Sequence, residues 1–219
     1  MSSLNLCTHA AELSKSDALK IIQSTKCFIC VAGTLASIAV LWKGGLSWLG
    51  FRSLTRSIFL GHVSSSFVCS LLFAFCYAYD VNRLSQKYDN PCDYTVEMQF
   101  AFTARIFPVF GLFGSIYFTV YLAIERSLAT LCPVVYNRLS RGKCFTFFTI
   151  NFVILVSIAV PLAFLLPPVK WDRKLAVFNT KTEDNAALFQ IMVWFEIIPE
   201  LCALAIFHSA LYINHRRDP

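Results

Sequence analysis

The stretch FAFTARIFPVFGLFGSIYFTVYLAI, residues 100–124, decides the fold. Its 25 residues carry one charge, Arg105. As a helix it would rise about 37 Å at 1.5 Å per residue, more than the roughly 30 Å hydrocarbon core of a bilayer. Four other stretches read the same way: 21–42, 57–79, 145–166 and 187–213. The composition agrees. Of the 219 residues, 57% are hydrophobic and only 15% charged, with 21 phenylalanines. Soluble domains run at roughly 45–50% and about 25%, and a soluble domain of this size could not keep so much apolar surface from water. Disorder requires the opposite balance. The expected fold is therefore an all-α, multi-pass transmembrane helix bundle of five spans, covering 21–213. A polar N-terminal segment (1–20) precedes it and a short tail (214–219) follows.

Orientation is read from the flanks of the first span. Residues 1–20 contain Glu12, Lys15, Asp17 and Lys20, which is no cleavable signal. After the span come Lys43, Arg52 and Arg56 with no acid, which predicts an outside N-terminus, a cytoplasmic 43–56 loop and, after five crossings, a cytoplasmic C-terminus. Over the whole chain Lys and Arg divide nine inside against nine outside, so the first span's flanks carry the assignment.

With this topology only Cys7 and Cys92 are clearly extracytoplasmic, which makes them the leading disulfide candidates, with Cys76 as reserve partner. Cys27-x-x-Cys30 sits in an apolar run with no second pair and reads as packing. Cys132 and Cys144 are membrane-proximal, as palmitoylated cysteines sometimes are. Pro108, Pro161 and Pro199 should kink the third, fourth and fifth spans. Gly111, Gly114 and Ser115 share one face of the third span, where small residues let another helix approach closely.

No phosphate-binding loop, metalloprotease helix, nucleophile elbow or dinucleotide turn is present. The histidines at 9, 62, 208 and 215 are scattered, so no metal or cofactor is expected. The net charge of +6 is spread over loops, so nucleic acid is not an expected partner. Two polar features remain. Arg105 lies roughly 7–8 Å into the third span, and Glu196 and Glu200 lie roughly 13 and 19 Å into the fifth, on one face at i and i+4. Charges at such depth need a partner or water. They read either as an ion pair between Arg105 and Glu196 that joins two helices or as the lining of a ligand cavity. The second feature is Glu125–Arg126 at the end of the third span, which alone reads as an interfacial anchor.

The wording around that dipeptide, Ala123-Ile-Glu-Arg-Ser-Leu-Ala-Thr130 followed by Tyr136, resembles the ERxxAT…Y signature of nematode serpentine chemoreceptors of the Sra superfamily. Tyr79-Asp80, Asn90-Pro-Cys-Asp-Tyr94 and Arg105 are similar to the second-to-third span region of its Srab (class alpha/beta) branch. The resemblance covers about 57–140. It implies a rhodopsin-like, heptahelical G-protein-coupled receptor in the plasma membrane of sensory neurons, serving chemoreception. Its partners would be a small-molecule ligand from outside, a heterotrimeric G protein and the lipid bilayer. Arg126 would belong to the G-protein switch, with Glu125 as its resting partner. The chain departs from rhodopsin-like receptors in having Ser64–Ser66 instead of an acid in the second span and no Trp in the fourth. It also has no cysteine in 167–186, and it holds five spans of seven, which reads as a truncated form. No enzymatic activity is expected. The alternative is a small transporter or channel subunit with Arg105, Glu196 and Glu200 lining a path, but paired repeats and broken helices are missing from the sequence.

Overall fold

The computed structural model describes residues 3–42, 53–140, 143–165, 174–176 and 186–217. The elements run α1 (Ser3–Ser14), α2 (Asp17–Trp42), α3 (Ser53–Ser85), a 3-10 turn (Pro91–Tyr94), β1 (Val96–Glu97), α4 (Met98–Leu131), α5 (Pro133–Ser140), α6 (Lys143–Leu165), β2 (Lys174–Leu175) and α7 (Ala186–Arg217). Among the described residues, four helices are long and apolar enough to cross a membrane: Asp17–Trp42, Leu54–Ser85, Met98–Leu131 and Ala186–Ala210. The fourth expected span corresponds to α6, a 23-residue helix within which Thr149–Ala163 is a shorter apolar helix among the described residues. Most of the connectors 43–56 and 167–186, residues 218–219 and the side chain of Cys144 lie outside the described residues.

α2 turns its polar side chains inward and its apolar ones outward. On α2 the buried side chains are Gln23, Thr34 and Ser37, whereas Phe28 is 74% exposed and Leu35 62%. Lipid solvates an apolar face as well as a protein core does, so polar and small groups face the neighbouring helix. Residues 3–20 hold α1 and the first turn of α2. Ser16 separates the two helices, its hydroxyl accepting from the Leu19 amide at 3.3 Å, and Asp17 follows in the first turn, where a negative charge suits the helix dipole. At the other end of the bundle, Pro133 ends α4. The residue before a proline avoids the helical region, and Cys132 leaves it at φ −133°, ψ 64°.

α4 is the hub, packing against α3, α6 and α7. Two apolar clusters divide its length. Met98, Phe102, Ile106, Val109 and Phe113 meet Met192 of α7. Farther along, Phe118 meets Leu54 and Ile58 of α3, Tyr136 of α5 and Val153 of α6. The small-residue face at Gly111 and Gly114 meets α3. A Cβ at Gly111 would lie 2.8 Å from the Cys69 amide nitrogen and 2.9 Å from the Ser65 carbonyl oxygen, both backbone atoms. At Gly33 of α2 the nearest atom would be the Ser70 hydroxyl at 3.0 Å, on a side chain that can turn away. Gly111→Ala is therefore expected to push α3 and α4 apart and destabilise by about 1–3 kcal/mol. Gly33→Ala should stay within about 0.5 kcal/mol. Thermal unfolding of the two variants in detergent makes the comparison, and equal midpoints would mean that the α3–α4 contact is looser than this.

Candidate functional site

At one end of the bundle, Glu125 is buried although α4 is nearly finished. One carboxylate oxygen, Oε1, accepts from the Thr55 hydroxyl of α3 at 2.7 Å and from the Tyr136 hydroxyl of α5. Its other oxygen, Oε2, stands 3.5 Å from Nε of Arg126, whose side chain is 41% exposed. Three chain segments thus converge on one carboxylate, which satisfies the rule that a buried charge needs partners. The arrangement accounts for the spacing of the motif. Tyr136 is placed by α5, which doubles back from Pro133, and Thr130 donates to the Arg126 carbonyl at 3.0 Å, closing the last turn of α4. Ala129 packs against the apolar cluster around Tyr136. Tyr121 and Thr149 join α4 to α6 nearby, 2.9 Å apart.

Across the middle of the α3–α4 seam runs a second polar set that the sequence left as one isolated histidine. His62 Nδ1 lies 3.1 Å from the Ser115 carbonyl oxygen and 3.2 Å from the hydroxyls of Ser115 and Thr119, while Ser66 and Ser115 share a hydrogen bond of 2.9 Å. The signal was available: His62 and Ser66 are four residues apart on one helix, as are Ser115 and Thr119 on the next.

Arg105, Glu196 and Glu200 are not brought together as expected. The Arg105 guanidinium lies over the rings of Phe73 and Tyr77 on α3, at 5.9 and 5.3 Å. Glu196 lies within electrostatic reach of Cys69 and Tyr117, two to three helical turns farther along the same helices. Glu200 is exposed on α7. The reason is register. Met192 of α7 already packs against Phe102–Phe113, so Glu196, one turn on, has passed the level of Arg105.

The end opposite Glu125 is closed by a cap. A disulfide joins Cys7 of α1 to Cys92 of the 3-10 turn. Cys76, the reserve partner, is a buried free thiol that donates to the Ala104 carbonyl. Asn90 caps the turn, its side chain accepting from the Cys92 amide at 3.0 Å, and β1 pairs antiparallel with β2. Beneath this sits Arg83, counted from sequence as an ordinary loop cation but in fact only 4% exposed. Its Nη2 donates to Asp80 at 2.9 Å and to the Ala176 carbonyl at 3.2 Å, and its Nη1 donates to the Tyr94 carbonyl. Asp80 is fully buried. One guanidinium thereby ties α3 to the 3-10 turn and to the β2 segment.

No curated protein matches the chain. A family model described as serpentine type 7TM GPCR receptor class ab chemoreceptor, Srab, matches residues 5–217. With nearly its whole length matched, and with helices long and apolar enough to cross a membrane, the chain belongs to the Srab family of serpentine chemoreceptors.

Proposed function

We propose that this membrane protein detects a small chemical arriving at the disulfide-capped end, which faces outside, and passes the signal to a heterotrimeric G protein at the Glu125–Arg126 end, which faces the cytoplasm. The observation that carries the reading is the Glu125 knot. Thr55, Tyr136 and Arg126 hold one buried carboxylate at the end of the hub helix. Such a knot stabilises a closed arrangement, and its opening would free the half-exposed guanidinium of Arg126 for a partner's acceptors. The disulfide is in keeping with an oxidising exterior at the other end. The ligand would enter near Arg105, between α3, α4 and α7, with Glu196 deeper on the same side.

Nucleotide exchange on a purified heterotrimeric G protein, added to membranes carrying the chain, tests this. Tyr136→Phe removes one donor to Glu125, worth about 1 kcal/mol, and should raise ligand-free exchange several-fold. Arg126→Ala should bring exchange down to the level of chain-free membranes. Identical rates for wild type, both variants and empty membranes would refute G-protein coupling.

A further inference from the structure

The short helix α5 leaves two apolar side chains uncovered at the end of the bundle where Glu125 is held. Among its described side chains Tyr136 is the buried one, whereas Val134 is 80% exposed and Val135 52%. Its eight residues are too few to hold a helix in water by backbone bonds alone. The element therefore gains from a surface that covers the two valines.

The level of α5 in the bundle says which surface that is. The Tyr136 hydroxyl donates to Glu125, and its ring joins Leu54, Ile58, Phe118 and Val153. Glu125 is the first residue after the apolar run 100–124. Leu131, seven residues past Ile124, would stand about 10 Å beyond the end of that run. From there α5 turns back at Pro133, and Tyr136 brings it down to the edge of the hydrocarbon. The outward side of α4 leads to the same place. Ile124 and Leu131 are both exposed and, two turns apart, share one face. Val134 and Val135 continue that apolar surface past the end of the helix.

Charge agrees with a lipid surface. Arg138, one turn on from Val134, is exposed. So is Arg56, the neighbour of Thr55, which donates to Glu125 from α3. Within 53–56 and 125–140 the one acid is Glu125, and it is buried. Arginine stems lie along apolar surface while their heads reach outward to anions. Exposed guanidinium groups beside exposed valines, at the hydrocarbon edge, match anionic headgroups above an acyl boundary.

We infer that α5 is a docking surface for an anionic lipid bilayer. Val134 and Val135 enter the acyl boundary, and Arg138 and Arg56 take the headgroup anions. Because the same helix carries Tyr136, the lipid would also hold the Glu125 knot shut. The docking needs neither a chemical ligand nor a G protein, so it stands or falls separately from the receptor reading.

Hydrogen exchange is measured on the full chain in nanodiscs of phosphatidylcholine, alone or mixed with phosphatidylserine. Exchange of the amides of 134–140 should slow about fivefold for each arginine engaged when phosphatidylserine is added. The amides of α1, which carries no lysine or arginine, should stay unchanged. Arg138→Gln should remove about fivefold of the slowing in the mixed discs and nothing in the neutral ones. A fluorescent amino acid at position 134 should be quenched by brominated lipid, and one at the exposed position of Lys87 by aqueous iodide instead. Equal exchange in both discs, or indifference to Arg138→Gln, would overturn the anionic surface. Iodide quenching at 134 as strong as at 87, without lipid quenching, would overturn the docking altogether and leave the face to a soluble protein. Loss of lipid quenching in discs that hold two chains would overturn it in favour of a second copy.

Discussion

Arg83→Leu is expected to lower the thermal unfolding midpoint of the chain in detergent by roughly 10 °C. Arg83 is buried, and Asp80, fully buried beside it, would lose the guanidinium. Breaking a buried pair from one side costs about 3–5 kcal/mol, since the desolvated charge left behind is no longer compensated. For a chain of this size each kcal/mol moves the midpoint by about 2–4 °C. The double variant Asp80→Leu with Arg83→Leu removes the carboxylate as well and should regain part of the loss, but not all. The carbonyls of Tyr94 and Ala176 would still lack their donor. An unchanged midpoint in the single variant would mean that the pair already faces water. Full recovery in the double variant would mean that the two carbonyl contacts contribute nothing.

The second large effect belongs to the disulfide. Cys92→Ser opens a loop that spans 85 residues of sequence. Loop entropy alone would assign the bridge about 4–5 kcal/mol. The unfolded state in a bilayer or micelle is not a free coil, however, because α2 and α3 remain helical and inserted when their contacts are lost. Fewer residues gain freedom than the loop length suggests, and about 2–3 kcal/mol is the expected loss. The loss should also be local. α1 buries Cys7 and Ala10 against the 3-10 turn, so its release should expose Ser3–Ser14 to protease before the bundle itself loosens. Cys7→Ser and the double variant should match Cys92→Ser. If Cys92→Ser alone destabilises, Cys92 acts through something other than the bridge.

What the sequence made legible is the part that the bilayer dictates. Each apolar stretch, the fourth as far as residue 165, falls within a helix, because lipid leaves the backbone no other partner than itself. Cys7 and Cys92, the two cysteines that the expected topology leaves extracytoplasmic, are the two that the structure joins. What remained hidden depends on helix rotation and register, which composition does not encode. Arg83 reads as a loop cation because α3 is apolar only to Tyr79, yet the helix runs to Ser85 and turns Arg83 inward. Arg105 and Glu196 read as partners when depth is counted from the ends of apolar runs, but Met192 sets α7 too far along α4 for that. Glu125 was singled out, and its partner Thr55 was not, since 70 residues separate them. α1 escaped notice because a 12-residue polar helix has no apolar stripe strong enough to announce it.

The bridge between Cys7 and Cys92 also keeps a record of how the chain was threaded. Between the two cysteines lie α2 and α3, two crossings. An even number of crossings returns the chain to the side it left, and an odd number does not. A nascent chain that inserted only one of the two helices would strand its two sulfurs on opposite faces of the membrane, beyond reach of each other. Oxidation of this one pair is thus a parity check on biosynthesis, failed by molecules in which only one of α2 and α3 went across.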